Sequence, residues 1–245
     1  MSLKRNVATP SPMSDCAQCV VRNRAICSGL SPDELLALGQ KGRKQSVKRG
    51  QTLVWEGDDS LVVANVITGV LKLSVSTADG REQIVGIVFP SDFIGRPFGK
   101  ESPYSVTALS DAEVCVFHRS TFDQFAREHP ELQHKLLQRT LIELDDARQW
   151  MMLLGKKTAE ERIATLLIRI SERLSSEGCT TPAFNLDEFE LPMDRQQMAD
   201  ILGLTIETVS RQLTRIKSRG VIALPDRRRV IINDRAALQN LAEAA

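Results

Sequence analysis

Between Asp194 and Arg219 the chain carries two helix starts separated by a single glycine. Asp194 is followed three residues later by Gln197, the pairing of an N-cap side chain with an amide that reaches back to it, so a helix is expected through Ile201. Gly203 supplies a residue that turns left-handed without strain, and Thr205 caps a second helix expected from about Thr205 to Arg219. Two short helices joined this way make a helix-turn-helix. In the second, Ile206, Val209, Leu213 and Ile216 recur at helical spacing and are expected to face a core. Glu207, Ser210, Arg211 and Thr214 then share the opposite face.

That face has base-reading chemistry. Arg211 can bond guanine O6 and N7 bidentately, Glu207 can accept from cytosine N4 or adenine N6, and Ser210 can hydrogen-bond or pack against thymine. Gly220 to Ile232 follows as a wing, two strands around Pro225-Asp226-Arg227-Arg228-Arg229. The chain's formal net charge is only +1, yet from Arg211 to Arg229 every charged residue but Asp226 is basic. A phosphate backbone responds to that local excess. Arg227, Arg228 and Arg229, with Thr205, Thr214 and Arg215, are expected to hold phosphates and set register. Lys156 and Lys157 read equally as phosphate contacts or as a solvated charge cluster. The competing reading is a protein-binding winged domain with Glu207 and Arg211 as an ordinary i,i+4 pair.

Upstream, the fold class expected is α+β. Ser31-Pro32-Asp33-Glu34 opens a short helix. From Val47 to Phe117 short β-rich runs are punctuated by glycines, and Asp79-Gly80 is a hairpin turn, which together suggest a compact β-roll. Leu137, Thr140, Leu144, Ala147, Met151 and Leu154 form a heptad seam on a long helix, while Leu136, Leu141 and Met152 supply a second apolar edge for packing on the β-roll. Two apolar faces fit a homodimer. The expected division is a leader over 1–28, a β-roll sensor over 29–130, a dimerisation helix over 131–155 and a winged helix-turn-helix domain over 156–245, with the boundary near Gly155. No apolar run approaches membrane-spanning length and no signal peptide is evident, so a cytoplasmic protein with no membrane partner is expected.

Five cysteines are too few and too clustered for a disulfide framework. Cys16, Cys19 and Cys27 lie in one short segment, after a polar, proline-containing leader over residues 1–15. Cys115 sits in an alternating strand with Glu113 and Phe117 on its side and Ala112, Val114 and Val116 on the other. Four thiolates suit a tetrahedral zinc or an iron–sulfur cluster, and spacing alone does not separate the two. Cys179, in a polar loop further on, is left out of the site. A thiol-based redox enzyme is the rival of another class, but His118, His129 and His134 belong to no catalytic pattern, so no enzyme is expected. A β-roll ligand-binding module without a promoter role is a third reading.

In this order, the cysteine-bearing leader, β-roll, heptad helix and winged helix-turn-helix resemble the CRP/FNR family of transcription regulators along almost the whole chain. Cys16, Cys19, Cys27 and Cys115 resemble the ligands of the oxygen-labile [4Fe-4S] cluster of FNR-type members, those of the FnrL and FnrN group in spacing. Glu207-x-x-Ser210-Arg211 resembles the FNR reading motif, and Lys156 to Arg162 the family's junction sequence. The resemblance implies an oxygen-responsive (anaerobic) transcription regulator, activating or repressing, that binds TTGAT-N4-ATCAA palindromes in double-stranded DNA as a homodimer. It also implies contacts with RNA polymerase from β-roll loops such as Thr77 to Gly80. Members that bind cyclic nucleotides hold them with a glutamate after a glycine and a later Arg-Ser pair. Here Gly95 to Lys100 and Tyr104-Ser105 carry neither, so no cyclic nucleotide is expected. FNR proteins commonly place an aspartate in the seam where Ala147 stands here, with Asp145 and Asp146 just off it. The dimer is therefore expected to depend less on the cluster than in members with the acid.

Overall fold

The alternation of Ala112–His118 (β8) sorts the N-terminal half into two cores. Ala112, Val114 and Val116 are buried between two antiparallel sheets, while Cys115 and Phe117 face the other way, into a second apolar cluster. The computed structural model describes residues 16–175 and 187–243; the expected leader over residues 1–15 and Cys179 lie outside the described residues.

The remaining strands are Gly42–Val47 (β1), Thr52–Val54 (β2), Val62–Thr68 (β3), Leu71–Ser76 (β4), Glu82–Val88 (β5), Phe93–Ile94 (β6) and Ser105–Ala108 (β7). They form two four-stranded sheets, β1-β8-β3-β6 and β2-β7-β4-β5, stacked as a roll. The Asp79-Gly80 turn joins β4 to β5 as the sequence suggested, with Gly80 at φ 81°. The second cluster lies outside the first sheet. There Val63 and Phe117 meet Ile26, Leu30, Leu35 and Leu38 from the cysteine segment and Pro32–Gly39 (α1), and Phe122, Phe125 and Leu132 from the helices that follow. The Ser31/Glu34 capping box starts α1.

Arg119–Glu128 (α2) leads through His129 into Pro130–Lys156 (α3), where Pro130 occupies the first turn, the one place a helix tolerates it. The helix runs through Gly155 to Lys156, and Lys157 caps it in an extended conformation. Leu132 and Leu153 anchor its two ends, and every residue over 140–149 is exposed. The second apolar edge was misassigned in part: Leu136 packs on the roll, but Leu141 and Met152 are exposed. The packing edge near the C-terminal end is instead Trp150, Leu153 and Leu154, against Ala159–Ser175 (α4) and its neighbours.

The C-terminal unit comprises α4, Glu188–Glu190 (β9), Arg195–Leu202 (α5), Ile206–Ser218 (α6), Ile222–Ala223 (β10), Arg229–Ile232 (β11) and Arg235–Glu243 (α7). Its sheet is ordered β10-β11-β9, so the wing hairpin gains a third strand, and α7 closes the unit against α4. One apolar cluster runs from this core into Val70, Ile84, Phe89 and Leu109 of the roll. Gln83 Nε2 donates to Asp200 O at 2.6 Å across the same contact. Arg173 on α4 pairs with Asp92 between β5 and β6.

Candidate nucleic-acid interface and thiol site

The two capping motifs place the reading helix. Asp194 Oδ1 accepts from Gln197 N and Gln197 Oε1 from Asp194 N, both at 2.9 Å, which starts α5. Gly203 ends it at φ 61°, ψ 43°, a left-handed conformation that glycine adopts freely. Thr205 Oγ1 then accepts from Thr208 N and starts α6. Val209, Leu213 and Ile216 are buried, but Ile206 is 38% exposed. A residue in the first turn extends past the supporting helix, so the spacing that marks the core face does not bury it.

Glu207, Ser210, Arg211, Thr214 and Arg215 are all exposed on α6. The helix N-terminus holds the Glu207 carboxyl below its usual range, through its own backbone N–H and the Thr205 hydroxyl. An ionised Glu207 accepts hydrogen bonds and donates none. Among the described residues no ion pair joins Glu207 to Arg211. Arg215 and Arg219 instead lean toward Glu160 on α4, at 3.8 and 2.9 Å. In the wing, Asp226 Oδ1 accepts from the backbone N–H groups of Arg228 and Arg229 at 2.7 Å, which shapes the turn. Arg229 pairs with Glu188 on β9, whereas Arg227 is exposed at the tip. At the junction Lys157 Nζ donates to Ala242 O at 2.6 Å, so this lysine closes the domain; Lys156 stays exposed.

Cys16, Cys19, Cys27 and Cys115 all line one small pocket between the cysteine segment and the outer face of the first sheet. The first three come from the 3-10 turns Cys16–Gln18 and Ile26–Gly29 and the loop between them, the fourth from β8. Their surroundings are apolar, including Val21, Leu35, Leu38 and Phe117. Burial, followed by the neighbouring thiols, pushes Cys27 up to about 11 and Cys115 up to about 12. Among the described residues no three metal-binding side chains are closed around a single point, so the thiols share the pocket without forming a finished coordination shell. As a donor set, four cysteine sulfurs facing one apolar pocket fit a soft, thiophilic metal centre.

Three residues at this site have no part in the cysteine pattern. Lys44 on β1 and Asn65 on β3 lie directly across from Cys115 and line the same pocket. Arg139 on α3 donates to Arg24 O between Cys19 and Cys27, and its other amino group lies 4.0 Å from Asp92, the partner of Arg173. Asn65 had a legible signal, since it interrupts the apolar run Val62-Val63-Ala64-Asn65-Val66-Ile67. For Lys44 and Arg139 the sequence offered none.

On the seam of α3, Leu137, Leu144 and Met151 are 57%, 43% and 73% exposed. Thr140 and Ala147 are exposed between them, and Leu154 is partly covered by the C-terminal unit. Asp145 pairs with Arg148, and Asp146 with Arg169.

Residues 161–241 match the family model of the Crp-like helix-turn-helix domain, and residues 44–129 that of the cyclic nucleotide-binding domain. The chain is 44% identical over 235 residues to the transcriptional activator protein FnrL of Cereibacter sphaeroides, covering 94% of this chain and 92% of that one. It is 38% identical over 210 residues to the nitrogen fixation regulation protein FixK of Bradyrhizobium diazoefficiens, covering 85% and 86%. Among solved structures, FixK2 from Bradyrhizobium japonicum superposes with a TM-score of 0.75 at 31% identity, over 83% of this chain and 98% of that one.

Proposed function

The chain belongs to the CRP/FNR family, as an FNR-type transcription regulator and not an enzyme, and on that premise we propose that it is an oxygen-responsive activator. In this reading it acts as a homodimer on TTGAT-N4-ATCAA palindromes and carries a [4Fe-4S] cluster on Cys16, Cys19, Cys27 and Cys115. The observation that carries it is the convergence of those four thiols, from two distant parts of the chain, on one apolar pocket.

When bound, a [4Fe-4S] cluster supplies four iron–thiolate bonds that oxygen can destroy. The protein's part is to tie the cysteine segment to the long helix, through Arg24 O and the Arg139 guanidinium. Contacts that differ between the loaded and unloaded segment are what shift the dimer equilibrium. Leu137, Thr140, Leu144, Ala147, Met151 and Leu154 form the seam. Each large apolar side chain withdrawn from water there contributes roughly 1.5–3 kcal/mol. Pairing sets two α6 helices about one DNA turn apart. Glu207, Ser210 and Arg211 read bases, while Thr205, Thr214 and the wing residues Arg227 and Arg228 hold phosphates. Arg215 and Arg229 do so after exchanging Glu160 and Glu188 for phosphate.

The division into a leader over 1–28, a roll over 29–130, a dimerisation helix over 131–155 and a DNA-binding domain over 156–245 is part of the same reading, as are cytoplasmic residence and contact with RNA polymerase through the exposed Thr77–Gly80 turn. Phe98, under the Arg127 guanidinium at 5.7 Å, occupies the segment where a cyclic nucleotide would need an acid, and no such ligand is assigned. Anaerobic purification followed by iron and sulfide analysis tests the proposal. Four of each per chain, with a mobility shift of a TTGAT palindrome that is lost in air, is expected. A colourless zinc protein, or DNA binding indifferent to air, overturns it.

A further inference from the structure

Lys44, Cys115, Asn65 and Phe93 stand opposite one another across β1, β8, β3 and β6, so their side chains project from one face of the sheet in a single transverse row. Directly opposed residues hold their Cβ atoms roughly 4.5–5.5 Å apart, which sets the Asn65 carboxamide beside the Cys115 sulfur. Asn65 is 3% exposed, lines the pocket of the four thiols, and its Oδ1 has no hydrogen-bond partner among the described residues. A buried amide left unsatisfied is costly, and an apolar residue like those on either side of it in β3 would pack there without that cost. The other walls of the pocket are apolar, and the polar groups that share it with Asn65 are the four thiols and Lys44.

We propose that Asn65 is a positioning residue of the thiol site, whose carboxamide turns its N–H groups onto the sulfurs of the group held by Cys16, Cys19, Cys27 and Cys115. This rests on the cluster reading above. A thiolate holding iron accepts and donates nothing, so it is served by Nδ2 and not by Oδ1. Rotation of the terminal amide by half a turn exchanges one for the other without moving the strand. An N–H donated to sulfur stabilises the added negative charge of the reduced state and so raises the potential at which the site is oxidised.

The test compares the full-length wild type with Asn65→Leu and Asn65→Thr, each reconstituted anaerobically with ferrous iron and sulfide. Three quantities are read: melting of the unloaded protein, midpoint potential, and the rate at which visible absorbance bleaches in air. With Leu, the unloaded protein melts no lower than wild type, while the loaded protein has a lower potential and bleaches roughly tenfold faster, the equivalent of one charge-assisted hydrogen bond. Thr keeps a hydroxyl donor and falls between the two. A purely structural asparagine moves melting in both forms together and leaves potential and bleaching alone, and that result overturns the proposal. If Leu does not fold, a Thr variant with wild-type potential and bleaching rate overturns it equally. Wild-type protein that takes up no iron and sulfide refutes the cluster reading itself, and the role of Asn65 with it. Wild type that loads while Leu and Thr behave like it refutes Asn65 alone.

Discussion

Replacing Arg162 tests whether the junction between long helix and DNA-binding unit is held by one guanidinium. Its Nε donates to Lys157 O at 2.9 Å, Nη2 to Leu154 O at 2.7 Å and Nη1 to Leu202 O at 2.9 Å. The first two carbonyls belong to the end of α3 and the third to the end of α5, just before Gly203. Terminal helix carbonyls have no partner within their own helix, and a cation there also answers the helix dipole. Hydrogen bonds from a charged donor contribute a net of about 1.5–3 kcal/mol each, so three fully buried, independent bonds would sum to roughly 5–9 kcal/mol. Arg162 is half-buried and water regains part of each carbonyl, which brings Arg162→Ala to about 3–5 kcal/mol. Arg162→Lys keeps the charge but serves one carbonyl at a time, at a cost of about 2 kcal/mol. Chemical denaturation followed by circular dichroism reads both numbers. Mobility shifts should show DNA affinity falling with them, because the Leu202–Gly203 turn sets the angle of α6. Alanine at under about 1 kcal/mol, or lysine equal to wild type, refutes the reasoning: the fork would then be a solvated decoration.

Arg211→Ala should cost about 1–3 kcal/mol on the cognate palindrome and far less on random DNA, measured by titration at fixed salt; equal losses on both would make Arg211 a phosphate contact. Met151→Asp, placed at the most exposed apolar position of the seam, should leave the protein monomeric in sedimentation with its circular dichroism unchanged. Cluster-free wild type should retain dimer in the same experiment, since Ala147 brings no charge to the seam; a cleanly monomeric apo form would count against that. For pH, the Ser31 backbone N–H, His129 and the Ser31 hydroxyl hold the Glu34 carboxyl down at about 2, below the 4.5 of a free glutamate. Its contribution is therefore complete above about 4.5 and lost as pH falls toward 2, so Glu34→Gln should lower stability at neutral pH, flatten the acid limb between about 4.5 and 2, and converge on wild type near pH 2.

What the sequence disclosed, it disclosed through rules that act within a turn or two of chain. The capping residues Ser31, Asp194 and Thr205, the Asp79-Gly80 turn and the alternation of β8 each determine a local conformation, and each stands where those rules put it. The misreadings arise where the deciding partner is remote. Leu141 and Met152 have the right spacing for packing, yet no part of the roll lies opposite them. Lys157 looks like a free cation until the end of α7 arrives with the carbonyl of Ala242. The third strand of the wing, β9, is too short to announce itself and exists because β11 pairs with it. At the thiol site the cysteine pattern named four residues that line one pocket, while Lys44 and Asn65 are placed beside Cys115 by the cross-strand register.

The stretch of α3 over residues 140–149 that meets water on every side has a consequence for the cell as well as for the fold. A sensor whose output requires two chains answers to abundance as well as to its signal. When chains are scarce relative to their mutual affinity, doubling their number raises the DNA-competent species roughly fourfold. Under the proposed dimeric, oxygen-responsive reading, gene dosage and any feedback of the regulator on its own synthesis would then set how steeply transcription follows oxygen.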